Sequence, residues 1–183
     1  GGQSLLAAMR LGLNSASELI DLSKIPGLAG IKVDGNGIVI GAMTRHADVA
    51  ASGDVKRLIP ALAALAGSIG DRQVRNMGTI GGSIANADPA ADYPAAVLGL
   101  GATVQTNKRA IAADDFFKGF YETALAEDEL ITSVRFPVPT KAAYEKFKNP
   151  ASRFALVGVF VAQTAGGVRV AVTGAAGSVF RVS

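Results

Sequence analysis

Val74-Arg75-Asn76-Met77-Gly78-Thr79-Ile80-Gly81-Gly82-Ser83-Ile84-Ala85-Asn86-Ala87-Asp88-Pro89-Ala90-Ala91-Asp92-Tyr93-Pro94 is the stretch on which the reading of this chain turns. Three glycines and a run of small or hydroxyl-bearing residues leave its backbone uncovered, and neither helical nor strand periodicity accounts for that composition. A bare backbone suits close approach by something polar. Successive N–H groups in glycine-permitted conformations form a concave nest that binds phosphate without a lysine or arginine in the loop, and Thr79 and Ser83 add hydroxyl donors at its two ends. The competing reading of Gly81-Gly82 is a turn between two elements. What favours the nest is a second copy of the same chemistry at the chain start, Gly1-Gly2-Gln3-Ser4-Leu5. Two such loops can face one pyrophosphate.

Working outward, residues 54–69 read as one amphipathic helix with Leu58, Leu62, Leu65 and Ile69 on a stripe and Pro60 in its first turn. Before it, residues 31–34 and 38–41 are β-branched runs on either side of Gly35-Asn36-Gly37, which predicts a hairpin. Gly35, Gly37 and Gly41 come near a dinucleotide fingerprint, but the third glycine is one residue late and an extended run stands where the helix should begin. Ser4 is the expected cap of a helix over 4–11, and Thr44 of one over 44–51 that contains His46, which receives no catalytic role. After the central stretch, 95–100 reads as a helix packed under it and 102–106 as a strand. Asp114-Asp115 reads as a helix start and not as metal or acid–base chemistry. Residues 130–136, 144–148 and the hairpin 154–164 with 168–173 complete the strands. The pattern predicts an α+β fold with mixed sheets in two lobes and the ligand in the cleft between the lobes.

Composition sets the bounds. With 183 residues, 49% of them hydrophobic and 18% charged, the chain can bury one sizeable core. It contains no apolar run long enough to cross a bilayer, and residue 1 does not open a signal peptide, so a cytoplasmic setting is expected. The absence of cysteine excludes disulfides, thiolate zinc sites and iron–sulfur ligation, and a single histidine excludes a histidine-rich metal site. Any metal chemistry belongs to another chain. The net charge of +3 is scattered and not gathered on one face, and 6% aromatic residues without tryptophan give few stacking platforms, so nucleic-acid binding is not expected.

The motifs Gly1-Gly2-Gln3-Ser4-Leu5, Thr79-Ile80-Gly81-Gly82-Ser83 and Asp88-Pro89-Ala90-Ala91-Asp92, in that order, resemble the FAD-binding medium subunit of molybdenum hydroxylases. That family includes aerobic carbon monoxide dehydrogenases, xanthine dehydrogenases and related aldehyde or N-heterocycle dehydrogenases. The similarity extends through Val74-Arg75-Asn76, the strand-like 129–137 and Lys148-Asn149-Pro150-Ala151-Ser152-Arg153-Phe154. It implies that residues 1–183 form an FAD-binding domain of the molybdopterin dehydrogenase type, lacking its N-terminal start and a further C-terminal domain. It implies an oxidoreductase subunit whose FAD relays electrons from iron–sulfur clusters on a small partner subunit, loaded at a molybdopterin-binding large subunit, to quinone, NAD or oxygen. The partners make a hetero-oligomer.

By that resemblance Gly1, Gly2, Gln3, Ser4 and Leu5 are one pyrophosphate loop, and Thr79, Ile80, Gly81, Gly82 and Ser83 the other. Asp92 matches a position near the flavin, where a carboxylate accepts hydroxyl hydrogen bonds. Ile69, Ile131 and Lys148 also align with cofactor-contacting positions. The isoleucines can cover an aromatic ring system or simply pack in the core, and Lys148 can place a cation near the cofactor or face solvent. No residue of this chain is assigned acid–base, nucleophilic or metal-binding work. Two other readings remain: a non-enzymatic nucleotide-binding scaffold subunit, and a stand-alone flavoenzyme of the same superfamily, against which stands the lack of a candidate proton donor.

Overall fold

A computed structural model describes residues 1–182. At the chain start Gly2 takes a left-handed conformation (φ 82°) and opens helix α1 (Gln3–Arg10), so Ser4 lies in the first turn and not at the cap expected for it. A short 3-10 turn at Leu22–Lys24, capped by Asp21, follows. Strands β1 (Ile31–Asp34) and β2 (Gly37–Gly41) pair across Gly35-Asn36 with Asp34 opposite Gly37, the predicted hairpin. Helices α2 (His46–Ala51), α3 (Gly53–Leu58) and α4 (Pro60–Ser68) come next. The single helix expected over 54–69 is therefore two. Ile59 sits at φ −139°, ψ 68°, because the Pro60 ring disfavours a helical residue before it, and Pro60 then starts α4 at a position that needs no N–H.

The central stretch is also more regular than its composition suggests. Asp71 caps α5 (Arg72–Met77) and Thr79 caps α6 (Ile80–Asn86), so Gly81 and Gly82 fall in the first turn of a helix and not in an open loop. Ala87 closes α6 in a left-handed conformation (φ 48°), and a turn over residues 88–92 leads to α7 (Tyr93–Leu100), the helix expected beneath this stretch. Helix α7 is apolar on every side and wholly buried, as that pattern requires.

The remaining elements are β3 (Thr103–Thr106), β4 (Ala110–Ala112), α8 (Ala113–Phe116), β5 (Phe117–Gly119), β6 (Glu122–Thr123), β7 (Ile131–Pro137), β8 (Lys141–Lys148), β9 (Ala155–Thr164), β10 (Gly167–Thr173) and β11 (Phe180–Val182). Asp114 does not cap α8; it pairs with Arg169 and Arg181. The strands form a five-stranded sheet, β1-β2-β7-β3-β4, a four-stranded sheet, β11-β10-β9-β8, and the small β5-β6 ribbon. The α+β class holds, and the pairings are antiparallel throughout the described residues, a more uniform arrangement than mixed sheets.

Helix α7 joins the two halves. It packs on β9 and β10 of the second sheet, and Gly99 permits this because a Cβ there would lie 2.7 Å from the Phe160 ring. Ile38, Val134 and Phe136 of the first sheet, Leu62 and Leu65 of α4, and Phe160 and Ala171 of the second sheet belong to one continuous core. In β8 a bulge at Phe147/Lys148 interrupts the register. The inward face of that strand carries Tyr144 and Lys146, while Phe147 is 69% exposed, contrary to a simple aromatic-in, charge-out alternation.

Candidate functional site

Where the start of α1 meets α6, the chain leaves a cleft of about 630 Å³. Gly2, Gln3, Ser4 and Leu5 form one wall, and Thr79, Gly82, Ser83 and Asn86 the facing one. Asp88, Ala91 and Asp92 make the floor. Ile69 and Gly70 lie on the far side beside Ser152, Arg153 and Phe154, which arrive from the β8–β9 connection.

The two Gly-Gly segments present different chemistry to this space. In α1 the first helical acceptor bond is Leu6 N–H to Gly2 O (3.0 Å), and no side chain caps the turn, so the preceding N–H groups end the helix without intrahelical acceptors, at its positive end. In α6 the corresponding groups are occupied. Ile80 N–H donates to Thr44 O (3.0 Å), Gly81 N–H to Ala42 O (2.8 Å), Gly82 N–H to Thr79 Oγ1 (3.2 Å) and Ser83 N–H to Thr79 O (3.0 Å). A backbone nest at residues 79–83 is thus overturned: that wall offers the Ser83 hydroxyl and the open space over Gly82.

The glycines divide accordingly. A Cβ on Gly81 would meet Ala42 Cβ at 2.5 Å, so this glycine serves packing of α6 on the residue after β2. A Cβ on Gly82 meets only Thr79 Oγ1, at 3.0 Å, and otherwise projects into open space. Gly78 makes room for His46, whose Nε2 would lie 2.5 Å from an added Cβ. The backbone bonds His46 N–H to Gly78 O and Ile80 N–H to Thr44 O, both 3.0 Å, clasp the two segments and fix the entry of α6.

Of the expected site residues, Gly2, Gln3, Ser4, Leu5, Ile69, Thr79, Gly82, Ser83 and Asp92 come together in the cleft. Gly1 stands just behind, near Met43 and Thr79. Ile80 and Gly81 are buried beneath the wall, and Ile131 is a core residue of β7. Lys148 is exposed at the end of β8, outside the lining.

Residues given no role from the sequence, His46, Asp88 and Arg153, complete the surroundings of Asp92. His46 is buried in the cleft wall with no partner for Nδ1, and burial, helped by Arg75, lowers its pKa to about 4, so the imidazole is neutral. Its ring packs on Tyr93 with centroids 5.3 Å apart. Asp92, 4% exposed, accepts hydrogen bonds from Tyr144 Oη (2.5 Å) and Lys146 Nζ (3.0 Å). Burial pushes its carboxyl above the usual range, against the pull of the Lys146 cation and the Tyr144 hydroxyl. Asp88 is tied to Tyr121, whose hydroxyl donates at 2.9 Å. Arg153 brings a guanidinium to the cleft from a left-handed backbone (φ 62°). The run 148–154 was the available sequence signal for Arg153 and Phe154; for His46 none beyond its position before the central stretch existed.

Known proteins resemble this chain in sequence and in fold. The chain is 39% identical over 168 residues to the glyceraldehyde dehydrogenase medium chain of Sulfolobus acidocaldarius, covering 88% of this chain and 60% of that protein. It is 39% identical over 193 residues to the carbon monoxide dehydrogenase medium chain of Hydrogenophaga pseudoflava, covering 99% and 67%. In structure it matches carbon monoxide dehydrogenase from Hydrogenophaga pseudoflava lacking the Mo-pyranopterin moiety of its cofactor, with a TM-score of 0.92 at 38% identity over 98% of this chain and 67% of that one. It matches quinoline 2-oxidoreductase from Pseudomonas putida 86 with a TM-score of 0.91 at 29% identity over 98% and 67%. The chain spans roughly two thirds or less of the length of these relatives. No helix among the described residues is long and apolar enough to cross a membrane. Residues 1–139 match the family model of the FAD binding domain in molybdopterin dehydrogenase, and the chain belongs to that family of oxidoreductase flavin-binding domains.

Proposed function

We propose that this chain is the FAD-holding part of the medium subunit of a molybdenum hydroxylase of the carbon monoxide dehydrogenase type, the type favoured over xanthine dehydrogenase by the medium-chain relatives that cover most of the sequence. FAD held in the cleft would supply the redox chemistry of a relay between iron–sulfur clusters on a small partner subunit, loaded from a molybdopterin-binding large subunit, and quinone, NAD or oxygen. The observation that carries the reading is the cleft with an uncapped helix start on one side and, on the other, a glycine whose only near neighbour is Thr79 Oγ1.

The residues fit such a dinucleotide. The first-turn N–H groups of α1 donate to a pyrophosphate at the positive helix end, and the Ser4 and Ser83 hydroxyls supplement them. The Arg153 guanidinium adds the cation that the nest reading did without. Thr79 acts through its cap on α6, Gly82 lets phosphate oxygens approach, and Ile69 offers an apolar surface to a ring. Asp92, on the floor, accepts hydroxyl hydrogen bonds from the sugar or ribityl part. Arg153 and Phe154, beyond the residues 1–139 of the family match, line the same cleft, which supports reading residues 1–183 as one FAD-binding domain.

Titration with FAD followed by flavin fluorescence tests the reading, with riboflavin as the control that lacks the pyrophosphate. Micromolar or tighter FAD binding and riboflavin binding about a hundred-fold weaker are expected, since several charge-assisted bonds are lost together. Equal affinities, or no FAD binding, overturn it; the latter is what a scaffold subunit gives.

A further inference from the structure

Asp92 sits at the start of α7 on the floor of the cleft, and everything that holds its carboxylate comes from β8. Tyr144 and Lys146 share the inward face of that strand, and neither lines the cleft. Lys146 Nζ, on a side chain only 6% exposed, lies 3.0 Å from the Asp92 carboxylate and 3.4 Å from the carbonyl of Ser68. Ser68 ends α4, and the next two residues, Ile69 and Gly70, are cleft wall. One ammonium group thus bridges floor and wall. Tyr144 reaches Asp92 because Gly158 on the neighbouring β9 has no Cβ, which would collide with the tyrosine hydroxyl.

The same sheet grips the floor at its other end. Thr173 Oγ1 lies 2.8 Å from Pro89 O and 2.7 Å from Ala91 O, and Gly174 N–H donates to Pro89 O at 2.7 Å. Residues 88–92 are therefore suspended from the four-stranded sheet. A buried ion pair is a poor source of stability, because desolvation offsets most of its attraction and apolar replacements are often as stable. Its use here is placement: the pair fixes the position of the cleft-floor carboxylate and opposes its protonation.

We propose that Tyr144 and Lys146 are positioning residues of the cleft, holding Asp92 and its floor segment so that the four-stranded sheet takes part in FAD binding. The inference rests on the functional reading above. Asp92 faces Tyr93 from its own helix and Tyr144 and Lys146 from β8, so Lys146 is the cation against it. Without Lys146 the buried carboxyl takes up a proton more readily.

The test uses the whole chain and three variants, Lys146→Met, Tyr144→Phe and the double variant Asp92→Asn with Lys146→Met. FAD affinity and thermal stability are measured between about pH 6 and 8. Wild type is expected to bind with a flat profile. Each single variant weakens FAD by about ten-fold, and the loss grows as pH falls. The double variant regains thermal stability, not affinity, and its profile is flat. Single variants that keep native affinity, or losses that ignore pH and simply follow melting temperature, overturn the proposal. If Lys146→Met does not fold, Tyr144→Phe and the double variant are read by the same criteria. Hydrogen exchange on the FAD-free protein separates failure of this inference from failure of the functional reading: residues 88–92 and 152–154 should exchange about ten-fold faster in the single variants while α7 does not change. Unchanged exchange in both segments overturns it even where FAD binds.

Discussion

Replacing Gly81 and Gly82 by alanine, one at a time, separates packing from ligand approach within a single helical turn. At Gly81 the new methyl would stand 2.5 Å from Ala42 Cβ and 2.8 Å from Ala42 O, and the Gly81 N–H bond to that same carbonyl is 2.8 Å. Helix α6 must then move off β2. Overpacking of this kind costs about 1–3 kcal/mol, and loosening a buried backbone bond about 1–3 kcal/mol more. The gain of alanine over glycine in a helix returns only about 0.5–1 kcal/mol. A net loss of about 2–4 kcal/mol follows, a fall of roughly 5–15 °C in Tm for a chain of this size. At Gly82 the sole close contact is Thr79 Oγ1 at 3.0 Å, and the helical gain offsets it, so stability stays within about 1 kcal/mol of wild type. The methyl instead enters the cleft where phosphate oxygens must approach, and FAD affinity should drop about ten- to a hundred-fold. Thermal melting and FAD fluorescence titration read the two effects. A Gly81→Ala protein with native Tm refutes the packing argument; a folded Gly82→Ala protein with native FAD affinity refutes the cleft assignment.

Two further outcomes are expected. His46 has its pKa lowered from 6.5 to about 4, chiefly by burial, so its contribution to stability is complete above pH 6.5 and is lost as pH falls toward 4, by on the order of 3 kcal/mol; urea unfolding across that range should show an acid limb that His46→Gln removes. Arg153 holds a left-handed backbone (φ 62°) at the cleft, so Arg153→Gly should relieve about 1 kcal/mol of strain while weakening FAD about ten-fold, a rise in Tm with a fall in affinity that melting and titration would show together.

Much of this was legible in the chain. β-branched runs around Gly35-Asn36-Gly37 gave the hairpin because its turn chemistry is local, and the apolar run beginning after Pro94 gave a helix that proves wholly buried. What misled was composition read without context. Gly81 and Gly82 weaken helix propensity, yet α6 forms because Thr79 caps it and strand β2 ends close enough to take the Gly81 N–H, a long-range contact that no local pattern records. Pro60 split a helix whose stripe looked continuous, since the apolar periodicity runs on across the non-helical Ile59. Lys146 was invisible for a different reason. On β8 it shares the inward face with Tyr144, and only the placement of Asp92 across the sheet turns a buried lysine into a paired one.

The two Gly-Gly segments look alike in sequence and divide one task in the fold. Helix α1 supplies backbone donors, because its start is closed by a left-handed glycine and no side chain, whereas α6 supplies access, its own donors being bound to Thr44, Ala42 and Thr79. The difference extends to how firmly each wall is held. Helix α6 rests on buried Ile80 and Ile84, but α1 has no buried residue, with Leu5 and Leu6 about two-fifths exposed. A helix of two turns with so little burial is marginal in isolation. On the proposed reading, a pyrophosphate in the cleft would satisfy the first-turn N–H groups of α1, so FAD should slow hydrogen exchange in α1 and leave the wall bearing Gly82 and Ser83 unchanged.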